Sequence, residues 1–275
     1  MSELPIHNPR VGRVHRRHRS RRSHPTLRVI GALMLREMST RFGRTPGGYI
    51  WAILQPLGAI IMLSVAFSVL MRSPQLGSSF IMFKATGLML FQLFRVTSSM
   101  VGKSLTFSRA LMAYPGVTWV DAVLARFLLN ALVVVIATIL ILGGVILFED
   151  LNLLLDWPMI IGAVALTALL GFGFGVFNAF MFERFDVYEN LWAILTAPLL
   201  ITSGVIFLFD DLPAAAQEIL WYNPLVHPVG MIRAGFYSVY QPQYISVVYA
   251  LVAALLPLAL GLLLLRRHYR ELLIR

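Results

Sequence analysis

The sequence predicts an all-α membrane protein of six transmembrane helices, and three observations predict it. Of its 275 residues 58% are hydrophobic and 13% charged, where a soluble domain carries roughly 25% charged residues. The mean hydropathy is +0.77. The charges also leave long gaps, and a gap of about 20 residues is what a hydrocarbon layer about 30 Å thick asks of a helix.

Residues 1–25 are polar and basic, with Arg10, Arg13, Arg16, Arg17, Arg19, Arg21 and Arg22 among them. They read as a disordered cytoplasmic tail held near anionic headgroups. They lack the folded platform and stacking aromatics of a nucleic-acid site, so no nucleic-acid partner is expected. Nor do they form a cleavable signal peptide, because no short apolar run with a small-residue cleavage site follows. In 27–44, Val29, Ile30, Leu33, Met34 and Phe42 alternate with Arg28, Arg36, Glu37, Arg41 and Arg44 at helical spacing. This predicts an amphipathic helix lying in the interface, its charged face toward headgroups or a partner.

No charge falls in 45–71, 127–148, 157–182, 190–209 or 234–265. These gaps predict spans at about 47–71, 122–148, 157–181, 190–209 and 245–265. A sixth, 80–100, is apolar but carries Lys84 and Arg95. Topology includes it. The basic tail and the C-terminal RRHYRELLIR both belong on the cytoplasmic side, and termini on one side need an even number of crossings. Lys103, Arg109 and Arg184 then fall inside, and Glu149, Asp150 and Asp156 outside; Arg72 is the exception. The external stretch 210–243 is too polar and proline-broken to span. It predicts short re-entrant helices shielded by protein.

Chemistry is sparse. There is no cysteine, and His227 stands apart from the other histidines, so no metal site is expected. Gly102-Lys103-Ser104 resembles the end of a phosphate loop, but Thr97 stands where the pattern needs glycine and no strand precedes it. Any ATP site therefore lies on another chain. Gly171, Gly173 and Gly175 sit inside a span and predict close helix packing rather than a dinucleotide site. The interleaved Phe172, Phe174, Phe177 and Phe180 pack or face a pathway. Asp210, Asp211 and Glu218 solvate the external helices. Lys84, Arg95 and Arg126 are costly at membrane depth, so they either serve function or snorkel to an interface.

Two runs carry a family resemblance: LREMSTRFGRTPGGYIWAILQP at 35–56 and WYNPLVHPVGMIRAGFY at 221–237. Together with RALMAYPGV at 109–117, which precedes Arg126, they resemble the ABC-2-type export permeases, nearest their capsular polysaccharide branch. The resemblance covers most of 27–270. It implies a transmembrane domain over 26–275 that is no enzyme and needs no cofactor. It implies a homodimer paired with two copies of an ABC ATPase, moving a lipid-linked polysaccharide across a bacterial inner membrane. Periplasmic co-polymerase and outer-membrane export proteins are the further partners it implies. The alternative cargo is O-antigen, teichoic acid, a lipid or a drug. The charged face with Arg36, Glu37 and Arg41 on the interfacial helix is expected to meet the ATPase or the headgroups, and the resemblance implies ATPase contacts at Leu111, Met112, Ala113 and Tyr114 in the middle loop. A substrate route is then traced by Tyr49, Trp51, Phe91, Phe94, Trp221 and Tyr222, with Lys84 and Arg95 three turns apart near one face for an anionic glycan or its lipid head. An interfacial aromatic belt accounts for some of the same rings.

Overall fold

The computed structural model describes residues 25–41, 48–70, 73–112 and 116–274. Helix α1 (Pro25–Arg41) leads into α2 (Gly48–Leu70), α3 (Phe80–Gly102) and the short α4 (Ser104–Met112). Two long helices, α5 (Trp119–Phe148) and α6 (Trp157–Arg184), precede the short α7 (Tyr188–Thr196) and α8 (Leu199–Thr202). A 3-10 turn at Phe209–Asp211, α9 (Ala214–Leu220), α10 (Val226–Phe236) and α11 (Val247–Ile274) complete the chain. No strand occurs among the described residues. Among the described residues, five stretches are long and apolar enough to cross a membrane: Ile50–Val69, Phe80–Met112, Trp119–Phe148, Trp157–Arg184 and Val247–His268. The basic tail, Arg44, Ala113 and Tyr114 lie outside the described residues.

Local sequence sets the helix ends. Ser79 caps α3 by accepting from the Met82 N–H at 2.9 Å. Thr118 and Asp121 close a capping box at α5, each side chain accepting from the other's backbone N–H. Asp156 caps α6, which has Pro158 in its first turn.

The gap 190–209 does not form one helix. Pro198 has no N–H to continue the ladder, and the chain divides into α7 and α8 around Ala197 and Pro198. Gly204 then turns the chain at φ +75°, a region that favours glycine. Within 210–243 the chain forms two short helices, α9 and α10, and α10 is buried along most of its length.

Helix α3 lies at the centre, and nearly every residue from Met82 to Phe94 is buried. Apolar side chains gain little by leaving lipid for protein, so close backbone approach must hold such helices together. The glycines of α6 supply it on two sides. A Cβ on Gly171 or Gly175 would meet Thr97 or Val101 of α3, and one on Gly173 would stand 2.1 Å from the Ala254 carbonyl oxygen of α11. Gly261 answers from α11, where a Cβ would stand 2.6 Å from the Phe177 backbone nitrogen. Gly173→Ala and Gly261→Ala are therefore expected to cost about 1–3 kcal/mol each by overpacking, read as lower thermal unfolding temperatures in detergent. Gly143 and Gly144 have open space at the same position, so alanine there serves as control. Equal temperatures for all four variants would remove the close-packing role.

Candidate functional site

Three polar groupings break the apolar bundle. One lies at the end formed by α1, α4, the α6–α7 turn and the C-terminal part of α11, called here the basic end. Glu37 of α1 is 3% exposed and Arg126 of α5 is 6% exposed. Arg126 Nε donates to Glu37 Oε2 at 3.1 Å, and its Nη1 donates to the Met100 carbonyl at 3.1 Å. The same guanidinium lies 4.1 Å from the ring centre of Phe107 on α4, and Arg36 approaches that ring to 5.8 Å. On the other flank of α4, Arg109 and Thr106 both donate to Glu183, and Lys103 pairs with Glu189. Arg36 is exposed, and Leu111 and Met112 are half-buried where α4 ends. The Arg41 side chain lies outside the described residues.

The second grouping is on the side of α3 that faces α2 and α7, about two turns inside the basic end of α3. Arg95 is exposed and donates to Gln92 Oε1 at 2.9 Å. No acidic side chain among the described residues pairs with it. One cavity of about 270 Å³, lined by Trp51, Gln55, Gln92 and Asn130, lies on one side of this pair. Another of about 410 Å³, lined by Arg95, Ser99 and Thr196, lies on the other. Trp51 is 58% exposed. Phe91 and Phe94 are buried; Phe91 borders the second cavity, and Phe94 packs edge-on to Phe174 at 5.8 Å. Tyr49 opens α2, and its side chain is outside the described residues.

The third grouping lies at the opposite end. Lys84 and Arg233 are both 1% exposed. Lys84 donates to the Ile206 carbonyl. Arg233 donates to the carbonyls of Phe207 at 3.0 Å and Val205 at 3.1 Å, and lies 4.0 Å from the Phe83 ring centre. Two cations thus hold three successive carbonyls of the turn after α8. Nearby, the Trp221 indole donates to the Tyr244 carbonyl at 2.9 Å, and its ring tilts against Tyr249. Tyr222 is exposed beside it. His227 is held neutral: Nδ1 accepts from the Ser246 N–H, which leaves Nε2 to donate to the Trp221 carbonyl, and burial pushes its pKa down.

The matched region joins these groupings to known proteins. The family model described as ABC-2 type transporter matches residues 28–237. The chain belongs to the ABC-2 type transporter family. That match takes in most of α1 and all of α2 to α10, and with them Glu37, Arg126, Arg95, Lys84 and Arg233; Tyr244, Ser246, Tyr249 and α11 lie beyond it. Among relatives of this transporter chain is the capsule polysaccharide export inner-membrane protein BexB of Haemophilus influenzae, 28% identical over 87% of this chain and 90% of that protein. The similarly named CtrC of Neisseria meningitidis serogroup B is 28% identical over 86% of this chain and 89% of its own length. The polysialic acid transport protein KpsM of Escherichia coli is 31% identical over 86% of this chain and 92% of that protein.

Sequence reading singled out Arg126 and Glu37 separately, but not their contact across 89 positions. It missed Arg233 and Phe107. Arg233 had one signal, a cation bounding an apolar gap; Phe107 had none.

Proposed function

We propose that this ABC-2 type transporter chain is the permease of a polysaccharide exporter in a bacterial inner membrane. It works as a homodimer with two copies of a separate ABC ATPase and passes a lipid-linked glycan outward. The basic end faces the cytoplasm, with the tail 1–25 beside it, and the grouping around Arg233 faces out. Helices α7 and α8 make the remaining crossing as a broken helix, which gives six crossings and places both termini inside. Periplasmic and outer-membrane export proteins take the glycan onward.

One observation carries the substrate reading: the exposed Arg95 guanidinium, about two turns inside the basic end of α3, borders one cavity with Ser99 and Thr196 and is bonded to Gln92 of the other. An exposed cation at that depth is expensive unless it meets water or an anion. Amides, hydroxyls and the Trp51 ring beside it are the partners a sugar uses, and Arg95 suits a carboxylate or phosphate on it. Glycan export by the named relatives supports the same cargo. Lys84, which holds the Ile206 carbonyl, acts on the route through the outer turn.

Arg95→Gln is expected to lower surface delivery of the glycan about tenfold, the worth of one charge-assisted hydrogen bond, with unchanged permease level and ATPase co-purification. Full export by this variant would sink the substrate role of Arg95.

A further inference from the structure

We propose that Phe107 and Arg126 form a positioning pair that carries movement of α4 into α5 and its polar cavity. This rests on the reading above, in which the basic end meets the ATPase. Among the described residues, α4 is held on two flanks by different chemistry. Toward α6 and α7 the contacts are ion pairs, Arg109 with Glu183 and Lys103 with Glu189, and only Glu183 is shielded from solvent. The exposed Lys103–Glu189 pair is screened and yields easily, and the Arg109–Glu183 pair, shielded on one side, is screened less. Between the flanks, Leu105 packs in a purely apolar cluster with Val101, Val123 and Val176, which fixes no direction.

Toward α1 and α5 the contact is the Phe107 ring, with the buried Arg126 guanidinium 4.1 Å from its centre. A cation over a ring gains most when it is desolvated, as Arg126 is. Arg126 is also fixed to Glu37 of α1 and to the Met100 carbonyl near the end of α3. A shift of the ring therefore reaches four helices through one side chain. One turn along α5, Asn130 Nδ2 donates to the Arg126 carbonyl at 2.8 Å, and Asn130 lines the cavity shared with Trp51 and Gln92. Coupling of this kind shows as a measurable dependence between the two residues.

The test uses the affinity-tagged permease isolated with its ATPase from its own host. Three quantities are read: ATPase recovered with the permease, ATP hydrolysis by the complex, and glycan delivered to the cell surface. Phe107→Leu is expected to recover the ATPase fully and to keep hydrolysis, while export falls about tenfold, within the usual range of coupling between sites. Phe107→Tyr, which keeps the ring, is expected to restore export. Arg126→Lys is expected to lower export as well, and the double variant to be no worse than the poorer single one. If leucine lowers the amount of protein, Phe107→Met keeps more of the volume and is read in its place. Wild-type export by Phe107→Leu, failure of tyrosine to rescue, or additive losses in the double variant would each overturn the proposal. Loss of the ATPase from the Phe107→Leu preparation would overturn it too, making the ring a docking anchor instead. Absence of any ATPase from the wild-type preparation would remove the underlying reading itself.

Discussion

Replacing Arg126 by alanine lowers stability by about 3–5 kcal/mol, the usual result of stranding one partner of a buried ion pair. The carboxylate left behind is Glu37, whose Oε2 is held by Arg126 and whose Oε1 already has no hydrogen-bond partner. The loss is measured by unfolding of the isolated permease in detergent. Lys103→Ala is the comparison. Lys103 pairs with Glu189 through solvent-exposed side chains, and such pairs contribute about 1 kcal/mol or less. Replacing both buried partners, as Glu37→Leu with Arg126→Met, is expected to recover most of the stability, because no charge then stays behind. If Arg126→Ala and Lys103→Ala destabilise alike, the Glu37 site is wet rather than buried.

The second large effect is at the opposite end. Arg233→Ala removes two donors from the Val205 and Phe207 carbonyls and empties the volume beside Phe83. A stranded buried acceptor costs about 1–3 kcal/mol and a large cavity a similar amount, so the loss is on the order of 4 kcal/mol. Local loosening of the turn is the expected form. The chain has no cysteine, so Val205→Cys makes a single probe at a fully buried position. It should resist a water-soluble maleimide in the parent and react quickly beside Arg233→Ala. Equal, slow labelling in both would show that the turn does not depend on Arg233.

Much of this architecture was legible in the order of charges. The gaps at 127–148 and 157–182 fall within α5 and α6, and Thr118, Asp121 and Asp156 announce where those helices begin. The gap at 190–209 holds two short helices rather than one; hydropathy registers apolar character and not a missing N–H, and Pro198 breaks the ladder without adding polarity. Facing was illegible for a different reason. In water a buried ring is more apolar than its surroundings, but in a bilayer both sides of a helix are apolar. Phe94 packed in the core and Trp51 largely open therefore had the same status in the sequence. The Glu37–Arg126 and Arg233–Val205 contacts join distant segments, and no local pattern encodes such pairings.

The alternating glycines of α6 bear on which parts of the protein are free to move. Where backbone touches backbone, no side chain can change rotamer to absorb a displacement, and a slide of a fraction of a turn drives atoms into contact. Helices α6 and α11 are locked in this way through Gly173 and Gly261, and α3 packs on α6 through the Thr97 and Val101 side chains at Gly171 and Gly175. They form a stator. Helix α2 has few buried residues, and α7 and α8 are short and broken, so these are the parts able to shift against it. If the chain works as the proposed exporter, its cycle is expected to move this periphery against the glycine-packed core, and its rate should respond to whatever borders the periphery, lipid or a second copy of the chain.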